Sequence, residues 1–382
     1  MSGGVVEAAV AGASQQMVMP LEWTRSWGLL AACSAGGVLV EHHKNWSASV
    51  VTMVSASALA TLGLLPSSSP AYGVIMRRLA VVAVPLLLLD ADFGKFRLEW
   101  RRLLKAYGIA CAGTIIGTLI AWPVLYKLLP TFAVEDGAIV AAGLAARHIG
   151  GAVNFIQVCD AAGATANVVA AGIAADNAIV APYFALLFRL GLTGENIRRR
   201  ETATADEAIS AIAIALACVA VAALVFPPNA ILPGCTFTAI CAASFFKKIC
   251  RAAAPAGRVV GALLMQFFIA AVGASSGTLN AILDAGGPLF FFSVLQLALH
   301  FSILIGAHKL AEQQQWKNLD IRSLAVASNA AVGGPTTAAA MCVARGWNDL
   351  LLPGLVVGIL GYASGTIVAL GVLQLIYLTL PY

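Results

Sequence analysis

Twelve apolar stretches run along this chain between residues 26 and 379, most of them close to the ~17–25 residues that carry a helix across a bilayer. They lie at 26–41, 47–65, 76–93, 103–129, 137–159, 165–190, 208–226, 233–247, 258–283, 287–309, 322–344 and 350–379. Lipid offers no partner for backbone N–H and C=O groups, so each stretch has to satisfy its own hydrogen bonds, as a helix does. Composition agrees: 60% of residues are hydrophobic and 11% charged, against about 25% charged in soluble domains.

Two of the stretches are broken by paired glycines. The first reads Arg147-His148-Ile149-Gly150-Gly151-Ala152-Val153-Asn154-Phe155, the second Ser328-Asn329-Ala330-Ala331-Val332-Gly333-Gly334-Pro335-Thr336-Thr337. Glycine and proline weaken helices, and backbone freed at membrane depth is tolerated where it lines a cavity or is buried in protein. A pair of such breaks in corresponding places of two halves points to a transporter's binding site.

The order of parts supports a duplication. A charged connector with Arg189, Glu195, Arg198, Arg199, Arg200, Glu201, Asp206 and Glu207 separates two runs of six stretches. Each run has four stretches, a broken one and a long last one. The chain divides into an N-terminal tail (1–25), a first half (26–190), the connector (191–207) and a second half (208–379). The expected fold is an all-α polytopic membrane protein of about 11–12 transmembrane helices in two similar halves, the Gly-Gly helices crossing near the midplane. Six crossings per half make the halves parallel, whereas an inverted repeat needs an odd number. Lys and Arg concentrate in 95–105, 189–200, 247–258 and 309–322, and the majority places the connector in the cytoplasm or its organellar equivalent. The membrane is the plasma membrane or, in a plant or alga, a plastid membrane.

Asp176 stands midway along an apolar stretch with Asn177 beside it. An ionised carboxylate is expensive there, so such residues face cavities and carry ions or protons, unless Asp176 forms a structural ion pair with Arg147. Hard cations such as Na⁺ take oxygen ligands, which Asp176 and Asn177 supply. Arg147 either neutralises Asp176, binds an anion through its fork of donors, or snorkels outward. His148 titrates near neutrality and is a candidate proton carrier, or a hydrogen-bonded structural residue. Asn154, Ser328, Asn329, Thr336 and Thr337 flank the breaks and offer oxygens and amides to a solute or ion, or serve as interhelical glue. Gln157, about one turn beyond Asn154, shares its face. Gly150, Gly151, Gly333, Gly334 and Pro335 keep the backbone open. Asp90 and Asp92 close the third stretch, where Lys95 and Arg97 offset their unfavourable position at a helix C-terminus.

Other classes find little support. Eight cysteines form no CxxC pair and read as small buried hydrophobes, with neither a disulfide nor a transition-metal set among them. No catalytic motif and no phosphate loop occur, so neither an enzyme nor an ATP-driven pump is expected. No cofactor is called for beyond a coupling ion, Na⁺ or H⁺. The net charge of +5 sits mainly in loops and suits an anionic membrane face, with no nucleic-acid module. The expected partners are the lipid bilayer and a small molecule or ion, with room for a homodimer. The first ~22 residues lack the charged start of a cleaved signal peptide.

The segment 148–155, followed by Ala174-Ala175-Asp176-Asn177, resembles the first signature of domain-of-unknown-function family 819, and 326–341 resembles its second. Residues 85–92 and 353–358 also look like that family, so the resemblance covers about residues 26–379. Arg147 departs from it, standing where a small or uncharged residue is expected. The family comprises integral membrane proteins, some plant members loosely labelled keratin-associated. It is grouped with the cation–proton antiporters and bile acid–sodium symporters. The resemblance implies a core domain with two crossing broken helices, a panel domain, and secondary transport. The first reading is thus ion-coupled symport of a small organic anion. The alternatives are a monovalent cation–proton antiporter and a non-transporting membrane scaffold or receptor, which full pairing of Asp176 with Arg147 would favour.

Overall fold

The computed structural model describes residues 21–44, 47–66, 68–91, 93–129, 134–190, 203–275, 279–315 and 319–380. Most of the N-terminal tail, most of the connector, and Asp92 lie outside the described residues. Among those described there is no strand. Seven helical segments make the first half: α1 (Leu21–Lys44), α2 (Ala48–Thr61), α3 (Pro70–Leu87), α4 (Phe93–Leu128), α5 (Val134–Gly150), α6 (Ala152–Ala162) and α7 (Ala166–Leu190). Seven make the second: α8 (Ala205–Val225), α9 (Ile231–Phe245), α10 (Lys247–Ala274), α11 (Leu279–Gln313), α12 (Ile321–Gly333), α13 (Pro335–Arg345) and α14 (Asn348–Tyr377).

Local chemistry sets several of the starts. Pro70 opens α3 at a position where its missing N–H is no loss, and the Ser69 side chain accepts from the Ala71 N–H. Thr204 and Glu207 form a reciprocal capping box at α8. Asp320 caps α12 by accepting the Ser323 N–H at 2.7 Å.

Among the described residues, seven helices are long and apolar enough to cross a membrane: α3, α4, α7, α8, α10, α11 and α14. α2 and α9 are apolar but shorter, with 14 and 15 residues. Four of the expected stretches shift. α3 spans 70–87 in place of 76–93, α4 begins at Phe93 instead of 103, α10 spans 247–274 in place of 258–283, and α11 spans 279–313 in place of 287–309. Beyond the end of α3, Asp90 pairs with Arg258 of α10.

The fourteen helices pack as two bodies. α1, α2, α3, α8, α9 and α10 contact one another and form a panel; α4–α7 and α11–α14 form a core. Each half therefore contributes its first three helices to the panel and its next four to the core, as a duplication requires. Panel meets core mainly where α2 lies on α7 and α10 lies on α13.

Candidate functional site: the two helix breaks

Both breaks have the same backbone. Gly151 sits at φ 83°, ψ −177° and Gly334 at φ 86°, ψ −171°, a region that only glycine occupies without strain. They are 183 positions apart, and so are the left-handed glycines that end the following helices, Gly163 and Gly346. α6 and α13 both begin without a side-chain cap, leaving first-turn N–H groups and the positive ends of two helix dipoles at the breaks. Pro335 occupies the first turn of α13.

The breaks meet at one side chain. A Cβ on Gly151 would lie 3.1 Å from the Tyr362 ring, and one on Gly334 would lie 2.9 Å from the Tyr362 hydroxyl oxygen. Gly150 is pressed against Asn154 and Gly361, and Gly333 against Phe184 and Thr337. Tyr362 of α14 thus stands between the two helix starts. Nothing in the sequence marks it, since a single tyrosine in an apolar helix is unremarkable.

Behind the first break, four predicted residues come together. The Arg147 guanidinium pairs through Nε with Oδ2 of Asp176 and donates from Nη2 to Oδ1 of Asn177 at 3.0 Å. His148 Nε2 lies 2.6 Å from Asp176 Oδ1, and His148 Nδ1 lies 2.9 Å from Gln296 Oε1. His148 and Asp176 are both fully buried. Each oxygen proposed for Na⁺ therefore already faces a nitrogen donor.

The network continues through residues that the sequence reading missed. Gln296 Nε2 donates to Thr118 Oγ1 at 2.6 Å, and Thr118 donates to the Thr114 carbonyl at 2.7 Å. Thr114 Oγ1 contacts both the His148 carbonyl, at 3.1 Å, and His300 Nδ1, at 2.9 Å. His300 Nε2 lies 2.9 Å from Ser328 Oγ, which lies 2.6 Å from the Tyr183 hydroxyl. Gly117 permits this closeness, because a Cβ there would sit 2.8 Å from the Gln296 carbonyl oxygen. A signal existed: Thr114 and Thr118, and Gln296 and His300, are i,i+4 polar pairs on single faces of apolar helices.

The remaining predicted residues separate. Asn154 Nδ2 donates to the Gly361 carbonyl at 3.0 Å, and Gln157 accepts from Thr366 at 2.7 Å, so this face of α6 ties to α14. Thr337 donates back to the Asn329 and Gly334 carbonyls at 3.2 and 2.9 Å, closing the turn at the second break. Thr336 is half-buried. Asn329 is fully buried, and neither atom of its amide has a partner.

His148 is held at both ring nitrogens, by Gln296 Oε1 on one side and Asp176 Oδ1 on the other. Which nitrogen donates depends on the ring's tautomer and on which way the Gln296 amide is turned.

Comparison with known proteins places these features in a family. A protein from Bacillus subtilis (strain 168), described as "Uncharacterized membrane protein YjcL", is 26% identical over 389 aligned residues, covering 90% of this chain and 94% of that protein. The DUF819 family, "Protein of unknown function", matches residues 28–213 and again 193–378. The two matches take in both breaks and nearly every helix, and this chain, an integral multi-pass membrane protein, belongs to the DUF819 family.

Proposed function

We propose that the protein is a secondary transporter that moves a small organic anion together with a proton, and that the His148–Asp176 pair holds the proton. The observation that carries this reading is the buried chain from Asp176 through His148 and Gln296 to Thr118: a proton gained or lost at the imidazole can be met by a turn of the Gln296 amide and a rotation of the Thr118 hydroxyl. Buried polar groups are costly when unpaired, so a site that changes charge needs such a pair of arrangements. Na⁺ fits less well, because the Asp176 and Asn177 oxygens are taken up by Arg147 and His148. The uncapped starts of α6 and α13, facing each other across Tyr362, supply positive potential that draws an anion to the crossing. A place beside the cation–proton antiporters and bile acid–sodium symporters is in keeping with this mechanism.

The test is uptake of radiolabelled small carboxylates into proteoliposomes under an imposed pH gradient, since one carboxylate moved with one proton carries no net charge. The expected uptake persists when choline replaces Na⁺ and disappears in Asp176→Asn and in Gln296→Leu. Uptake that requires Na⁺ and ignores the pH gradient overturns proton coupling.

A second reading has its own observation. Asp176 is fully buried and paired to Arg147 as well as to His148, as expected of a scaffold that has kept the fold without transporting. Normal cellular phenotypes in Asp176→Asn, with no uptake by the wild type under any gradient, would favour it.

A further inference from the structure

Each broken segment turns back on itself. A Cβ on Gly143, before the first break, would lie 3.0 Å from Cys159 Sγ, beyond it; along one straight helix those positions are about 24 Å apart. Asp136 at the start of α5 holds Thr165 beyond α6, and Arg322 at the start of α12 holds Asp349 beyond α13. Both segments therefore enter and leave by one face. α1 with α2, and α8 with α9, likewise run out and back. The halves then change face through α3, α4 and α7, and through α10, α11 and α14, all long enough to cross. Three changes of face invert the second half. α4 and its counterpart α11 run antiparallel accordingly: Gly113 lies against His300 and Gly117 against Gln296. Inversion also gathers the basic segments. Residues 95–105 open α4, 189–200 follow α7, 247–258 open α10 and 309–322 join α11 to α12, so all four lie on one face.

Two observations fall on the other side. Arg77 and Arg78 are exposed in a π-helical turn, Ile75–Leu79, about 11 Å into α3. Neither pairs with a carboxylate among the described residues. α6 exposes the polar side chains of Gln157 and Asp160. Charged side chains within a span face protein or water, not hydrocarbon. Inversion relates α3 to α6 as it relates α10 to α13, yet α10 packs on α13 while α3 leaves α6 uncovered. One water-filled space between α3 and α6 accounts for both sets of exposed groups.

We propose that α3 and α6 bound an aqueous cleft open to the face opposite the basic segments, and that Arg77 and Arg78 recognise the ionised carboxylate of the solute there. The assignment rests on the transport reading above and supplies the anion's side of it. Two guanidinium forks suit a carboxylate, whose two oxygens both accept; a cation is repelled. The cleft leads inward to Val153, exposed close to Gly151 and the crossing. The basic face is the cytoplasmic one or its organellar equivalent, so the solute comes from the other side, as an anion, and meets its proton behind the first break.

The test uses the full-length protein in membrane vesicles of a bacterial host, labelled with two charged methanethiosulfonates, an anionic ethylsulfonate and a cationic ethyltrimethylammonium. Rates are normalised to those with a free thiol in solution, and the wild type gives the background of its own cysteines. The exposed positions Glu135, Val153, Ala161 and Asn348 are replaced singly by cysteine. Glu135→Cys, Val153→Cys and Ala161→Cys should react in right-side-out vesicles, and Asn348→Cys only in inverted ones. At Val153→Cys the anionic reagent should be favoured about tenfold; at Ala161→Cys, beside Asp160, it should not. Arg77→Gln with Arg78→Gln should remove that preference, and Arg77→Lys with Arg78→Lys should keep it. Glu135→Cys and Ala161→Cys reacting from opposite faces overturn the hairpin, and all four sites reacting from the reversed faces overturn the assignment of the basic face. An unreactive Val153→Cys overturns the cleft, and a preference that survives the glutamine pair overturns the role of the arginines. Labelling as expected, with no carboxylate taken up by proteoliposomes, would sink the transport reading and leave the cleft standing. Proton-driven uptake whose KM is unchanged in the glutamine pair would do the reverse.

Discussion

The first and second breaks share a backbone and differ in almost everything attached to it. Gly151 and Gly334 adopt the same conformation, and the helices that follow end at matching left-handed glycines. The matching side chains diverge: Arg147 and His148 correspond to Ala330 and Ala331, and Asp176 to Ile359. Burial diverges as well. α13 exposes no residue, whereas α6 exposes Ala152, Val153, Ile156, Gln157, Asp160 and Ala161. α10 packs on α13, while its counterpart α3 makes no comparable contact with α6. Duplication thus explains the geometry and leaves the chemistry free. One copy became ionisable and remained open on one face; the other became neutral and was sealed against the panel.

The sharpest way to break this contrast is to remove the charge that only the first copy carries. Asp176→Leu leaves the Arg147 guanidinium without its buried carboxylate, and stripping one partner from a buried pair costs about 3–5 kcal/mol. Thermal unfolding in detergent should show this as the largest loss among these variants. Adding Arg147→Met should recover much of it, since apolar replacement of a whole buried pair is often neutral. If the double variant is no better than Asp176→Leu, the pair is not the unit of stability that the geometry indicates.

The two pivots give the next largest effect. Alanine at Gly151 or Gly334 forces a Cβ into a region that costs about 1–3 kcal/mol. Gly334→Ala should be the worse, since its Cβ would lie 2.8 Å from the nearest Tyr362 atom, against 3.1 Å for Gly151. Trimming Tyr362 to alanine should narrow the difference, and a difference that persists unchanged in that background would show that Tyr362 does not set it. Below these comes Ser328→Ala, which strands the Tyr183 hydroxyl and His300 Nε2 and should cost about 1–3 kcal/mol by the same unfolding measurement. The matching residue of the first half, Ala145, has no such bonds to lose.

These effects also show what could be read from the sequence. The helix order, the two broken segments and the meeting of Arg147, His148, Asp176 and Asn177 were legible, because each rests on local pattern: apolar runs, paired glycines, and ionisable residues out of place in lipid. Gln296, His300 and Tyr183 were not. Each is a polar residue in an apolar helix distant in sequence from the breaks, and only packing of α4, α7 and α11 against α12 assigns its partner. Tyr362 was missed because its importance lies in what a glycine opposite it lacks. The division into panel and core came from family resemblance, since apolar periodicity does not say which helix meets which. The partner of Asp90 escaped for the same reason: Arg258 is distant in sequence but adjacent in space.

The smallest contrast lies at the entrances of the two broken segments. In the first half, Asp136 accepts from the Thr165 backbone N–H and hydroxyl, at 3.2 and 2.6 Å, tying the start of α5 to the approach to α7. In the second, Arg322 donates to both oxygens of Asp349, at 2.7 and 2.8 Å, tying the start of α12 to the start of α14. The tied helices correspond though the residues do not align, and one tie is a carboxylate–hydroxyl bond while the other is an ion pair. Both are exposed, so each should contribute no more than about 1 kcal/mol. Salt separates them. Screening weakens an exposed ion pair, so the loss in Arg322→Gln should shrink markedly between low salt and 1 M salt. A residue of it should survive, because the Arg322 guanidinium also lies 5.4 Å from the Trp347 ring centre. The loss in Thr165→Val should barely change, since a hydroxyl carries no net charge to screen. Unfolding of both variants at two salt concentrations checks this. Equal salt responses would mean that the two entrances are held by something other than the contacts that distinguish them.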